Sequence, residues 1–284
     1  MVHGRICIES QFSCEEVIDI WRKFPPPIRP SLDDQRVYED CIKRIKGRKN
    51  PSVLILGVTP ELRRLAIRYS CIVTAADIHT VMIKAMNYLM DNFGPVRHDE
   101  AVVKSNWLAM PFKRGSHDLI IGDCSINNLT RTETERLLIE LKQLLKKDGY
   151  VCIRVMVRSD EGVQQKLLDI FTKYRKSLPE NDVKIFRDLY LEILCSVEAY
   201  DCVCQKSSIA KARKEWRRLY RNAKISTQEF EAFEDFLAEG EYCPTLLKRS
   251  ELEDILNQHY KIIWIKHDEA RFIGCSPIYC LKLI

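Results

Sequence analysis

The chain has 284 residues, 46% hydrophobic and 30% charged, the composition of an ordinary globular protein and long enough for one α/β fold with insertions. Its formal charge of +5 is only mildly basic, a weak pointer to an anionic partner unless the charge is gathered on one face. No apolar run approaches the roughly 20 residues that span a bilayer. The N-terminus, MVHGRICIESQF, lacks the basic-then-apolar order of a secretory signal.

The 12 cysteines form no C-x-x-C pair, and Cys202 and Cys204 are the only close pair. Several sit in apolar runs, Cys71 and Cys152 among them, where a reduced thiol packs as a small hydrophobe. A reduced, cytoplasmic setting without a metal site is expected.

In chain order, CEEVIDIWRKF is an amphipathic stretch stopped by Pro25, Pro26 and Pro27. A helix is predicted from Leu32 to Lys46, with Val37, Cys41, Ile42 and Ile45 on one face and Ser31 as its cap. The pattern then alternates. SVLIL (52–56) and CIVTAAD (71–77) read as strands buried on both faces. Between them Thr59 and Pro60 open a short helix. HTVMIKAMNYLMDNF is the next helix, stopped at Gly94-Pro95, followed by strands AVVKS (101–105) and DLIIGD (118–123). Thr130 and Glu133 form a capping box for a helix through Lys147, closed by Asp148-Gly149, and YVCIRVMV (150–157) is the fifth strand.

After Val157 the alternation gives way to consecutive helices over about 161–257, and YKIIWIKH (260–267) and PIYCLKLI (277–284) follow. Their connection is too short for a helical crossover, so they should pair as an antiparallel hairpin. The fold class is therefore α/β, a doubly wound, mostly parallel seven-stranded sheet ending in an antiparallel hairpin, with a helical insert between strands five and six. The corresponding units are a helical segment 1–50, a Rossmann-like core 51–158 with 258–284, and an insert or lid 159–257. Ligands of such sheets bind at the carboxyl ends of the strands.

The loop after the first strand, Leu56-Gly57-Val58-Thr59-Pro60-Glu61-Leu62, keeps one glycine of the three that a pyrophosphate needs for close backbone approach. Thr59, Pro60 and Glu61 add bulk and negative charge, so a dinucleotide is a poor guest. Asp77, twenty residues on, can accept from both hydroxyls of a ribose, or can cap the following helix; the residues alone leave both readings open.

Asn106-Trp107-Leu108-Ala109-Met110-Pro111-Phe112, followed by Ser116-His117-Asp118-Leu119-Ile120-Ile121, resembles the class I S-adenosylmethionine-dependent methyltransferases. The resemblance spans about residues 52–157, and the closing hairpin is similar to that family's last two strands. It implies S-adenosylmethionine as cofactor, with Gly57, Val58 and Thr59 facing the methionine part. Asp77 would hold the ribose, Ile78 would pack on the adenine, and Asn106 and Trp107 would stand near the adenine amino group. Asp123 would lie near the transferred methyl. The reduced glycine loop also leaves open a catalytically silent, cofactor- or partner-binding member of the same fold.

For the acceptor, Asp123-Cys124-Ser125-Ile126 is neither the Asn/Asp-Pro-Pro-aromatic run of amino-methylating nucleic-acid enzymes nor a Pro-Cys nucleophile pair, which disfavours DNA base methylation. A small molecule under a helical lid is the expected acceptor, no catalytic base is assigned, and an RNA acceptor is the lesser alternative. Asn127 and Asn128 are either acceptor-orienting or turn residues, and His117 is expected to pack. In 206–224, Ile209, Ala212, Trp216, Leu219 and Ala223 form an apolar stripe and Lys211, Lys214, Arg218 and Arg221 a basic face, read as a packed lid helix ahead of an anion-attracting one. Phe230, Phe233 and Leu237 would pack one side of the acidic run that follows, and Tyr190, Tyr200 and Tyr220 are candidate pocket residues.

Overall fold

The computed structural model describes residues 12–23, 29–92, 100–161, 164–175, 183–234, 243–266 and 274–284. The stops at Pro25–Pro27 and Gly94-Pro95, and the acidic run beyond Glu234, lie outside them.

The sheet forms as the apolar runs require. Strands β1 (Ser52–Leu56), β2 (Ile72–Asp77), β3 (Glu100–Lys104), β4 (His117–Asp123) and β5 (Leu145–Arg154) are mutually parallel in the order β3-β2-β1-β4-β5. Strand β11 (Ile278–Leu283) runs antiparallel between β5 and β9 (Tyr260–Lys266), completing seven strands with the expected hairpin.

Alternate residues of each strand face opposite layers. Val53, Ile55, Val73, Leu119 and Ile121 join one core with helices α1 (Cys14–Lys23), α2 (Leu32–Lys43), α3 (Pro60–Arg68) and α4 (Thr80–Asp91). Leu54, Leu56, Ile120, Val151 and Ile153 join the other with α5 (Arg131–Leu144) and α10 (Arg249–Asn257). Burial on both sides explains why these strands read as continuous apolar runs rather than as alternating ones.

The insert has its own core. It contains α6 (Leu167–Tyr174), α7 (Val183–Leu194), α8 (Ile209–Arg221) and α9 (Thr227–Glu234), and its buried side chains continue into Cys124 and Met156 at the carboxyl ends of β4 and β5. The insert therefore packs against the carboxyl ends of β4 and β5. A short pair, β7 (Tyr200–Asp201) with β8 (Lys206–Ser207), interrupts the helices that the sequence predicts there.

Three boundaries differ from expectation. Helix α2 stops at Lys43 rather than Lys46, with its Ser31 and Asp34 capping box in place. Helix α5 stops at Leu144 rather than Lys147, because Leu145 is already extended and pairs with His117. Gly149 is then needed for packing rather than as a helix stop, since a Cβ there would lie 2.6 Å from Leu145 Cγ. The fifth strand breaks after Arg154, where Val155 N–H donates to Pro277, and β6 (Val157–Arg158) pairs instead with β10 (Gly274–Cys275). Every described cysteine is a free thiol, and no helix among the described residues is long and apolar enough to cross a membrane.

Candidate functional site

The carboxyl tips of β2, β1, β4 and β5 place the chemistry. Leu56 is level with Ala76 on one side and Gly122 on the other. Asp77, Gly57 and Asp123 are the next residues at these three tips, and Arg154 is level with Asp123.

Gly57 has φ +105°, a conformation that side chains rarely adopt, and its N–H donates to Ala76 O at 2.8 Å. A Cβ there would sit 4.0 Å from Asp77 Oδ2 and 4.0 Å from Thr59 Oγ1, so the glycine opens a cradle bounded by these two groups. Thr59 stands at the cap position of α3 but makes no capping bond with its side chain. Val58 is buried in the core, so only its backbone faces the loop.

Asp77 stands between the Gly57 cradle and the start of α4. Its Oδ1 accepts the His79 N–H at 2.9 Å at the start of α4, while Oδ2 faces the Gly57 cradle. Burial raises its pKa, opposed by the His79 N–H. Ile78 is half-buried beside it. Trp107 donates its indole N–H to Ala76 O at 2.6 Å, the carbonyl that also receives Gly57, so the third segment is tied to the tip of β2. Asn106 Oδ1 accepts the Leu108 N–H at 3.1 Å, shaping its own turn and leaving one lone pair of that oxygen over. The structure thus groups Gly57, Thr59, Asp77 and Trp107 around the cradle.

Replacing Gly57 with valine should strain the loop by about 1–3 kcal/mol and fill the cradle. Thermal melts would register the first effect. Calorimetry with S-adenosylhomocysteine should register the second, as a loss of affinity of at least about tenfold.

Asp123 is drawn into a different arrangement. Arg154 Nε and Nη2 donate to its two oxygens at 2.6 and 2.9 Å, and Tyr38 OH donates to Oδ1 at 3.1 Å and to Gly122 O at 2.9 Å. Arg154 Nη1 also reaches Asp34 Oδ2 at 3.3 Å, the carboxylate that caps α2 with Ser31. The three charged side chains are 0–3% exposed. Burial works against the Arg154 charge, but Asp123 and Asp34 outweigh it and hold the guanidinium protonated. Burial raises the Asp123 pKa, opposed by the Arg154 guanidinium that engages both of its oxygens. The signal was visible in YVCIRVMV, since a charge in a buried strand must find a buried counter-charge.

The loop after β4 is structural. Asn127 is buried, donates to Met156 O (2.7 Å) and Thr245 O (2.8 Å), and accepts from Met156 N–H (2.9 Å), while its own carbonyl accepts the Thr245 N–H at 2.7 Å. It is a clamp between the core and the returning end of the insert. Asn128 bonds back to Cys124 O and Ser125 O. Burial pushes the Cys124 thiol up to about 12, so it stays protonated and is no nucleophile.

His117 lies at the opposite end of β4 and packs edge-on to Phe112, as expected; burial, aided by Lys146, holds it down at about 4. Tyr200 donates to Leu246 O, and Tyr220 stacks on Phe230 at 4.3 Å, so both are committed to the insert; Tyr190 is buried within the insert core.

The sequence reading missed how α1 closes the outer side of the loop. Trp21 Nε1 donates to Glu61 Oε1 at 3.3 Å, and Arg29 approaches the same oxygen at 3.9 Å. Burial raises the Glu61 pKa. A cavity of about 150 Å³ lies between these residues, Arg64 and Leu89.

Residues 56–153 match the family model described as a methyltransferase domain. A search of curated proteins gives no match. Among solved structures the chain is similar to the CcbJ methyltransferase from Streptomyces caelestis, with TM-score 0.58 and 9% identity over 94% of this chain and 96% of that one. It is similar to the PH0226 protein from Pyrococcus horikoshii OT3, with TM-score 0.54 and 15% identity over 94% of this chain and 99% of that one. A third likeness, at TM-score 0.51 and 11% identity over 98% and 87% of the two chains, is to Burkholderia thailandensis 1,6-didemethyltoxoflavin-N1-methyltransferase, solved with 1,6-didemethyltoxoflavin and S-adenosylhomocysteine. At these identities the likeness is one of fold.

Proposed function

We propose that the chain is a class I, S-adenosylmethionine-dependent methyltransferase that acts on a small-molecule acceptor held between the sheet tips and the helical insert; the match of residues 56–153 to a methyltransferase domain and the likeness of fold support it. The observation that carries the cofactor half is the cradle at Gly57 with a carboxylate oxygen of Asp77 facing it. A nucleoside whose linkage carries no phosphate fits that cradle, whereas a pyrophosphate would meet Glu61 and lack the extra glycines.

When bound, the cofactor supplies an electrophilic methyl on a sulfonium, open to in-line displacement. This chain's residues hold and align. Asp77 receives the ribose hydroxyls, Ile78 covers one face of the adenine, and the Asn106 oxygen accepts from the adenine amino group. The backbone at Gly57 and Thr59 borders the amino-acid tail. Asp123, locked by Arg154 and Tyr38, keeps the floor in one geometry, which is the alignment such a displacement requires. The insert excludes water from above. The core and insert boundaries at 51–158 with 258–284 and at 159–257 follow from this reading.

The small-molecule acceptor is supported by the insert core, which continues into Cys124 and Met156 and so roofs the tips of β4 and β5 closely. An RNA acceptor would need a wider mouth. One of the structural relatives is named for a small heterocyclic acceptor.

Calorimetric titration with S-adenosylmethionine and S-adenosylhomocysteine tests the proposal, and a folded sample that binds neither at millimolar concentration overturns it. Asp77→Ala should weaken both by about 10–100-fold, the loss of hydrogen bonds to a charged acceptor. It should also cost about 1 kcal/mol of stability through the lost hydrogen bond from the His79 N–H. An unchanged affinity would remove Asp77 from the ribose.

A further inference from the structure

The basic charge of the chain is not spread over it. Residues 209–224 contain seven lysines and arginines and one glutamate, a formal +6 against +5 for all 284 residues, so everything else together is slightly acidic. This segment is α8 and the turn that follows it.

The fold then sorts that helix into two faces. Ile209, Ala212, Trp216 and Leu219 are buried in the insert core, where Trp216 packs against Phe171 with ring centroids 4.5 Å apart. Ala223, which the periodicity places on this stripe, is instead exposed in the closing turn at φ 54°. Lys211, Lys214, Arg221 and Lys224 are all exposed on the other side. Among the described residues they enter none of the ion pairs, whereas Arg218 is held by Glu215 at 2.7 Å. From Lys211 to Arg221 the cations extend over roughly 15 Å at 1.5 Å per residue, and Lys224 follows in the turn beyond the helix.

We propose that this outer face of α8 binds the phosphodiester backbone of a single-stranded nucleic acid. The chemistry favours it over other anionic partners. A row of cations at successive helix turns meets a row of phosphates, whereas a small anion would need them convergent. Insertion into a membrane would need an apolar face, and the apolar face of α8 is already spent on the insert core, which leaves only adsorption to anionic headgroups as the competing case. No exposed aromatic side chain lies on α8 to stack bases, so binding is to the backbone and tolerant of sequence. The basic face points away from the core that roofs the sheet tips. A strand lying there therefore holds the protein in place without filling the acceptor site, and the inference stands independently of the proposed reaction.

The test is fluorescence anisotropy of the full chain with a labelled single-stranded oligonucleotide of about twelve nucleotides, in RNA and DNA forms and of mixed sequence. With four phosphate contacts, log K should fall against log salt with a slope of about −3. Combined reversal of Lys214→Glu, Arg221→Glu and Lys224→Glu should weaken binding about a hundredfold at low salt and flatten the slope to about −1. A preference between RNA and DNA identifies the source of the backbone, and equal binding also supports the proposal. Vesicles containing phosphatidylserine form the competing arm. Absence of oligonucleotide binding at low salt, binding untouched by the reversal, or binding to vesicles alone overturns it. Unchanged melting and unchanged S-adenosylhomocysteine affinity of the variant separate this outcome from failure of the fold or of the cofactor site.

Discussion

Replacing Arg154 with alanine is expected to lower stability by about 3–5 kcal/mol, the cost of leaving buried carboxylates without their cation. The side chain is fully buried, grips both oxygens of Asp123, and reaches Asp34 across the sheet–helix interface. Its loss would release the tip of β4 and the first turn of α2 together. Denaturant unfolding should show the midpoint fall at a nearly constant slope. A second variant separates charge from packing. Arg154→Leu combined with Asp123→Asn and Asp34→Asn removes the charges as a set, and it should recover most of the lost stability. A triple variant no more stable than Arg154→Ala would show that the guanidinium acts by shape rather than by charge.

The second large effect is a loss of stability in acid that begins well above the carboxylate range. His117 is held at about 4 by burial and Lys146, against an ordinary value near 6.5. Its neutral form is favoured in the folded state, so the unfolded chain binds the proton first as pH falls. The contribution is complete above about 6.5 and is lost progressively down to about 4, amounting to about 3 kcal/mol. Asp118 follows lower down. Burial would raise it, but Lys146, the Ser52 N–H and Arg48 hold it at about 2, so its share disappears between about 3.8 and 2. Two separate limbs in a plot of unfolding free energy against pH are therefore expected. His117→Phe should erase the upper limb and leave the lower one. Survival of the upper limb in that variant would assign it to another group.

The central strands β1, β4 and β5 were legible because both of their faces are buried, which turns strand and core into the same apolar run. The antiparallel ending was legible for a different reason, the shortness of its connection. Boundaries were lost where tertiary contacts override local signals. Asp148-Gly149 looks like a helix stop, yet the helix ends at Leu144 so that Leu145 can pair and Lys146 can reach Asp118. At the site, Gly57 and Asp77 were legible because their backbone and charge requirements are local. Asp123 was placed by family position alone, and its partners Arg154 and Asp34 lie far from it in sequence, beyond the reach of any periodicity. The role of Asn127 was undecidable for the same reason, since its clamp partner Thr245 belongs to the far end of the insert.

The position of β11 between β5 and β9 has a consequence for synthesis. During elongation the edge of β5 that ends at Arg154 has no partner until Ile278–Leu283 has been made. At 5–20 residues per second the interval is on the order of ten seconds. Throughout it the nascent sheet offers an open ladder of backbone groups beside an apolar strand, the condition under which neighbouring chains on one messenger can pair with each other. Chaperone demand during translation should therefore centre on this interval, and covering that edge early is the step on which the yield of folded protein depends.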